Sequence, residues 1–489
     1  MSALRKWGYT LAGELRASAA RFPDRIAIID DRGSITYRRL VRRTDRLAHA
    51  LKGRAGVSAG DRVGILCRNH GGMVEMMVAT SGLGADPVLV NTGLSGSQLV
   101  TVAEQQQLRL ICHDAEFTDV VAGMPADVIR IPMSIMDELI SHAPPTPLQR
   151  PERDGRSIVL TSGTTGTPKG ARRPIPPGLG PLASVISRIP LHAGEPMFIS
   201  APLFHTWGLS GLQMAFALSS TVVLQRRFDP PTTLRAIVDT QARSLFVVPV
   251  MLQRLLEIQP VSTHLRVVAT SGSSLPGGLA IRFMDAYGDI LYNLYGSTEA
   301  SWASIATPAD LRWAPTTAGR PPHGTLVAIL NENGEPVAPG TVGQIFVGNS
   351  MLFDGYTSGT AKHMHDGLLA TGDLGHLDED GLLYVDGRED DMIVSGGENV
   401  FPGAVENLLS GLPQVREVAV VGVPDYDFGH RLAAYIVLRP GESLDAESVR
   451  EYVRHYLARY YVPREVAFID ELPRNATGKV VTRYLTGRV

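Results

Sequence analysis

Apolar runs of three to five residues alternate with helix-patterned stretches over the first two-thirds of the chain, and this alternation limits the possible folds most. Residues 26–29, 63–66, 87–90, 108–112, 197–199, 222–224, 245–248 and 267–270 are such runs. They fit strands buried in parallel sheet. Residues 11–21 and 38–51 are patterned as helices, and a helical stretch lies between the second and third runs. Strands alternating with helices imply α/β layers. After residue 320 the pattern changes to short strands, 327–330, 343–347 and 381–385, among Gly- and Asp-rich turns. That is the pattern of a small β-barrel-like unit. The last hundred residues read as strands 417–423 and 432–438 and a helix over 446–460, entered through a polar, Gly-containing segment at 386–391. The expected fold is therefore α/β. A large N-terminal domain of layered mixed sheets with helices and the small β-barrel-like subdomain covers 1–389, and a small mobile α+β C-terminal domain covers 390–489.

A chain of 489 residues exceeds one ordinary core. With 44% apolar and 19% charged residues it is globular. The net charge of −3 gives no reason to expect nucleic acid or an anionic membrane as partner. No apolar run reaches the roughly 18–20 residues of a membrane span, and the N-terminus lacks the apolar core of a signal peptide. Cys67 and Cys112 cannot supply a disulfide framework or a structural zinc site. A cytoplasmic protein is expected. Five of the 46 basic residues are lysines. Where arginine is the default cation, a retained lysine points to a chemical requirement.

Lys169 is one of them. It lies in Thr161-Ser-Gly-Thr-Thr-Gly-Thr-Pro-Lys-Gly170, which follows the apolar run 158–160. Glycines let backbone N–H groups approach an anion, hydroxyls add donors and the ammonium adds charge. The string suits a polyphosphate, yet its spacing is not that of the Walker loop. It resembles the phosphate loop of the adenylate-forming superfamily, which includes acyl-CoA synthetases, firefly-type luciferases and nonribosomal-peptide adenylation domains. Further motifs recur in family order along nearly the whole chain.

The resemblance implies ATP held by Thr161, Ser162, Gly163, Thr164, Thr165, Gly166 and Lys169. Asn293-Leu-Tyr-Gly-Ser-Thr-Glu299 is similar to the family's aromatic-Gly-x-Thr-Glu motif. With Asn293, Gly296 and Ser297 around it, Tyr295 would stack on adenine. Thr298 would meet the α-phosphate, and Glu299 would hold Mg²⁺, a hard cation that takes carboxylate oxygen. Asp373 in Ala370-Thr-Gly-Asp-Leu-Gly375 matches the ribose ligand, although Leu368 and Leu369 stand where the family has an aromatic. Thr270-Ser-Gly-Ser-Ser-Leu-Pro276 matches a loop between acyl and adenine sites, bringing in Gly272, Ser273 and Ser274. Arg388 and Asp390 resemble the inter-domain hinge. Gly396 and Gly397 resemble the loop along the path of the thiol. Lys479, in Leu472-Pro-Arg-Asn-Ala-Thr-Gly-Lys-Val480, matches the catalytic lysine, which would neutralise charge as a carboxylate attacks the α-phosphorus.

Pro202-Leu-Phe-His-Thr-Trp-Gly208 resembles the family's acyl-pocket motif, and His205 would orient the carboxylate or gate the pocket. The lining suggested by Phe204, Trp207, Leu209, Val248 and Met251 is apolar and favours a hydrophobic carboxylic acid. No Asp or Glu lies between Ala201 and Ser220, which argues against an amino acid. The implied reaction is ATP-dependent formation of an acyl-adenylate with release of pyrophosphate, then transfer to CoA. The phosphopantetheine of a free carrier protein is the alternative acceptor. A luciferase-like oxidation and a non-enzymatic binding homologue are the other functions open to such a scaffold. Departures stand at Gln344, Ala404 and His430, and at 172–181, where prolines forbid a helix. The oligomeric state is not fixed by the sequence, with a homodimer left open.

Overall fold

The computed structural model describes residues 2–161, 168–395, 398–425 and 429–486. Four sheets organise it. The first has eight strands. Ser304–Ala306, Leu291–Tyr295, Val267–Thr270, Ser244–Val247, Met197–Ile199, Val222–Leu224 and Ile26–Asp30 follow one another across it, and Gly33–Thr36 closes one edge. Its inner pairings are parallel and both edge strands are antiparallel. The second has six strands, parallel except for the edge strand Lys169–Arg172, which forms a hairpin with Ile158–Thr161. The alternation expected from sequence is thus present, and the strands Asp86–Leu89, Met197–Ile199, Val222–Leu224, Ser244–Val247 and Val267–Thr270 are buried throughout.

Helices fill the space between these two sheets. Leu11–Arg21 starts at Thr10, whose hydroxyl accepts from Gly13 N–H at 3.1 Å. Tyr37–Ala55 ends at Gly56 in the left-handed conformation. Thr206–Ala217 buries Trp207, Leu209, Leu212, Met214 and Phe216 in the largest core cluster, where each such side chain contributes about 1.5–3 kcal/mol. This helix approaches its neighbours so closely that a Cβ on Gly208 would fall 2.2 Å from the Pro202 carbonyl oxygen. The helix Leu11–Arg21 packs on it, with the Ser18 hydroxyl donating to Phe216 O at 2.6 Å.

The third sheet is the expected small β-unit, five antiparallel strands including Leu326–Leu330, Gly343–Gly348, Leu368–Leu377 and Leu383–Arg388. Its last strand begins two residues later than the run at 381–385 suggests, because Gly381 occupies a turn at φ 75°. The fourth sheet belongs to the small C-terminal domain, where Val415–Asp425 and Gly429–Leu438 form its long antiparallel pair. The helix expected over 446–460 stops at Tyr456 and a separate turn covers Arg459–Tyr461. At the other departure, a helix Gly180–Ile186 does begin inside 172–181, since Pro181 falls in its first turn, where no N–H is required. Among the described residues no helix is long and apolar enough to cross a membrane.

Candidate active site

The strand ends of the first two sheets, the small β-unit and one loop of the C-terminal domain converge on a single region. In the hairpin Ile158–Thr161/Lys169–Arg172, Thr161 pairs with Lys169, and its hydroxyl donates to Lys169 O at 3.3 Å. Ser162, Gly163, Thr164, Thr165 and Gly166 lie outside the described residues. Lys169 projects toward Tyr356, its ammonium 5.7 Å from the ring centroid. Tyr356 in turn donates to Glu299 Oε1 at 2.7 Å, and burial pushes its hydroxyl pKa up, with the Glu299 carboxylate adding to the rise.

Arg173, the residue after the hairpin, is buried. It donates to Thr298 O at 2.5 Å and to the Ser301 hydroxyl at 2.9 Å. Burial pulls its pKa down to about 10, against the opposing charges of Glu299 and Asp354. The guanidinium therefore holds the Thr298–Glu299 corner in place. Sequence reasoning missed it, although the Arg172-Arg173 pair directly after the loop was its visible trace.

Strand Leu291–Tyr295 places Asn293 beside Thr270 and delivers Tyr295 against Asp373, with the phenol donating to Asp373 Oδ2 at 2.5 Å. Asp373 lies within strand Leu368–Leu377, opposite Arg388, whose Nε is 3.4 Å from Asp373 Oδ1. Burial raises the Asp373 pKa, opposed by the Tyr295 hydrogen bond and by Arg388, Lys362 and Lys479. Lys362 donates to Thr371 O at 2.6 Å and is a further cation here that the motifs did not identify. Asp390 occupies the turn Glu389–Asp391 just beyond. Gly272 takes a left-handed φ of 96° at the end of strand Val267–Thr270, with Ser273 and Ser274 in the loop that follows. Gly396 and Gly397 lie outside the described residues.

Lys479 reaches this region on a tight hairpin. Asn475 Oδ1 accepts from Thr477 N–H, Lys479 N–H and the Thr477 hydroxyl at 3.0, 3.0 and 2.6 Å. Arg474 donates to Gly478 O at 2.7 Å and to Glu417 at 3.0 Å, tying the hairpin to its own domain. The tip is docked on the large domain: a Cβ on Gly478 would meet Val250 Cγ1 at 2.6 Å, and one on Gly93 would meet Ala476 Cβ at 2.9 Å. Arg416–Glu257 and Arg282–Ser410 O, at 2.7 and 3.0 Å, hold the two domains together elsewhere. Lys479 is exposed, and its charge is felt by both Asp373 and His205. Burial, then Lys479, brings the His205 pKa down to about 4, so the imidazole is neutral at pH 7.

Next to His205 opens a cavity of about 200 Å³. Ser271, Gly272, Gly296, Ser297 and Thr298 border it on the side of the strand ends. The Thr206 hydroxyl, which donates to Thr298 Oγ1 at 2.9 Å, joins that border to the helix Thr206–Ala217. The wall differs from the expected lining. Of the five residues proposed from sequence only Trp207 faces the cavity. Phe204 and Leu209 are taken up by the main core, and Val248 and Met251 lie outside the wall. Pro176, Leu179, Pro181, Leu182 and Val185 from the proline-rich stretch replace them, together with Met214 and Trp302. Glu14, from the first long helix, completes the wall and is the acidic residue that the segment 201–220 lacks.

Away from this region, Cys67, His70 and Asp114 place possible ligand atoms within 4.8 Å of one another. His70 Nδ1 already accepts from Met73 N–H at 3.2 Å and Nε2 lies 3.0 Å from Asp114, so both ring nitrogens are committed to the core.

Compared with known proteins, the profile described as AMP-binding enzyme matches residues 15–357, and the AMP-binding enzyme C-terminal domain matches 404–479. The chain belongs to the AMP-binding enzyme family. Within it, the chain is 34% identical to an indoleacetate–CoA ligase of Aromatoleum aromaticum, over 98% of this chain and 96% of that protein. It is 33% identical to a feruloyl-CoA synthase of Amycolatopsis sp, over 92% of each. Among solved structures, the o-succinylbenzoate CoA synthetase of Bacillus subtilis, bound to its acyl-adenylate intermediate, superposes with a TM-score of 0.86. That match has 29% identity and covers 96% of this chain and 97% of the other. The family has the same division into a large N-terminal and a small C-terminal domain.

Proposed function

We propose that the chain is an ATP-dependent acid–CoA ligase acting in two steps. The observation that carries this reading is the docked hairpin, which brings the Lys479 charge within reach of His205, on the cavity wall, and of Asp373. In the first step a carboxylate oxygen attacks the α-phosphorus of ATP, and the bond to pyrophosphate breaks. Lys479 neutralises the negative charge that develops there, with no reorganisation needed. Tyr295 leaves Asp373 and stacks on adenine, which frees Asp373 and Arg388 for the ribose. Lys169 and residues 161–166 take the phosphates. His205, neutral at pH 7, orients the carboxylate by hydrogen bonding without competing for its charge.

Glu299 fits a magnesium ion. It is a hard carboxylate with one oxygen free of hydrogen bonds among the described residues, and a bound ion would offset phosphate charge. In the second step the C-terminal domain, taken as 390–489, turns about Asp390. Lys479 withdraws and residues 395–402 approach. The CoA thiolate attacks the acyl carbon and AMP leaves.

A cavity of about 200 Å³ is smaller than the ~300–1,000 Å³ of typical drug-sized sites, which favours a compact acid over a long fatty chain. The aromatic acids named for the two curated relatives are of that kind. The test is pyrophosphate release from ATP and Mg²⁺ with a panel of such acids, with and without CoA. Acid-dependent release with accumulation of a CoA thioester is expected. Release without thioester moves the acceptor to a carrier protein, and no release with any acid removes the ligase reading.

A further inference from the structure

The mechanism uses the mouth of the acid cavity and leaves its far end unexplained. The helix Thr206–Ala217 runs along the wall, with Thr206 at the reacting end and Gln213, Met214 and Ala217 further along. At 1.5 Å per residue, Gln213 lies about 10 Å beyond Thr206. There the first long helix crosses. Ser18 bonds to Phe216 O, and Glu14, one turn earlier on the same face, lines the cavity. Glu14 is 5% exposed, and its Oε2 is enclosed without a hydrogen-bond partner. The neighbouring cations are engaged elsewhere, Arg16 with Asp45 and Arg173 with Thr298 and Ser301. Burial drives the Glu14 pKa well up, which favours the uncharged form of the carboxyl.

An unpartnered buried carboxyl is costly to a fold. A ligand group that hydrogen-bonds to it removes the cost. Sites built to bond a substrate hydroxyl discriminate strongly against the analogue lacking it.

We propose that Glu14 is a specificity-determining residue that selects acids carrying a neutral hydroxyl at the end remote from the carboxylate, as in hydroxyaryl or ω-hydroxy acids. Gln213 stands on the same wall as a second donor and acceptor. The inference rests on the acid-ligase reading and specifies its substrate class.

Trp207 and Trp302 line the cavity, so quenching of their fluorescence reports acid binding without any turnover. The probes are 4-hydroxycinnamate against cinnamate, and 6-, 8- and 10-hydroxyalkanoates against their parent and ω-amino acids. Wild type is expected to bind at least one hydroxy acid at least tenfold more tightly than its parent. Glu14→Leu should abolish or reverse that ratio while raising the melting temperature, and Glu14→Gln should keep the preference. Equal affinities within every pair, or a ratio unchanged in Glu14→Leu, would overturn the proposal. So would tighter binding of the ω-amino acids, which calls for an ionised Glu14. Pyrophosphate release by the same samples reports separately on the ligase reading.

Discussion

Gly478→Ala is the substitution that most sharply separates the two proposed half-reactions. Gly478 has φ 85°, and an alanine there costs about 1–2 kcal/mol wherever the hairpin is. The second cost arises only on docking. The new Cβ would lie 2.6 Å from Val250 Cγ1 and 3.5 Å from Val248 Cγ2. Overpacking of this kind costs about 1–3 kcal/mol, which is roughly 5- to 150-fold in rate. In the proposed mechanism adenylation requires the docked hairpin, so pyrophosphate release should fall by that factor. Thioester formation from supplied acyl-adenylate does not require it and should change by less than about threefold. Val250→Ala supplies the control. It removes Cγ1 and leaves Cβ at 3.8 Å, an ordinary contact, so the double variant should recover most of the adenylation rate. Stopped-flow pyrophosphate detection and a thioester assay measure the two steps. Equal loss in both, or no rescue by Val250→Ala, would refute the claim that this docking serves the first step.

Three further outcomes are expected. Lys479→Ala should lower pyrophosphate release by about 10²–10³-fold while calorimetric ATP affinity stays within about threefold, because in the proposed mechanism the ammonium acts mainly on charge developing in the transition state. Arg173→Met leaves the Thr298 carbonyl and Ser301 without their buried partner, and urea unfolding should register a loss of about 2–4 kcal/mol. Burial raises Glu406 from 4.5 to about 7, against a hydrogen bond from Val420 N–H. The folded state then holds a proton that the unfolded chain releases. The associated stability is complete below pH 4.5 and is lost as pH rises through about 7. Unfolding of the wild type at pH 5 and pH 8 should show this drop, and Glu406→Gln should flatten it.

Sequence carried the strands well, because runs such as Met197–Ile199 and Val267–Thr270 are buried on both faces and need no partner to be recognised. The site motifs are local strings and could be picked out one by one, and the structure brings Lys169, Tyr295, Glu299, Asp373 and Lys479 to one region. What failed was whatever depends on packing between distant segments. Tyr356 and Lys362 carry no motif and become visible only once the small β-unit closes on Glu299 and Asp373. The acid-cavity wall was misjudged because the helix Thr206–Ala217 turns Leu209 into the core. The proline-rich stretch, in which the prolines were expected to forbid a helix, supplies much of the opposite wall. Glu14 lies about 190 residues from His205, and an acidic residue in an N-terminal helix reads as solvated until the helix is seen crossing the cavity.

The central claim is that a carboxylate oxygen becomes bonded to the α-phosphorus of ATP before the acyl group meets its acceptor. An acid that supports pyrophosphate release, labelled with ¹⁸O in both carboxylate oxygens, tests it directly when the products are analysed by mass spectrometry. The account predicts AMP carrying one ¹⁸O, unlabelled pyrophosphate and a thioester retaining the other label. Unlabelled AMP, or label in a phosphate split from ADP, would contradict it.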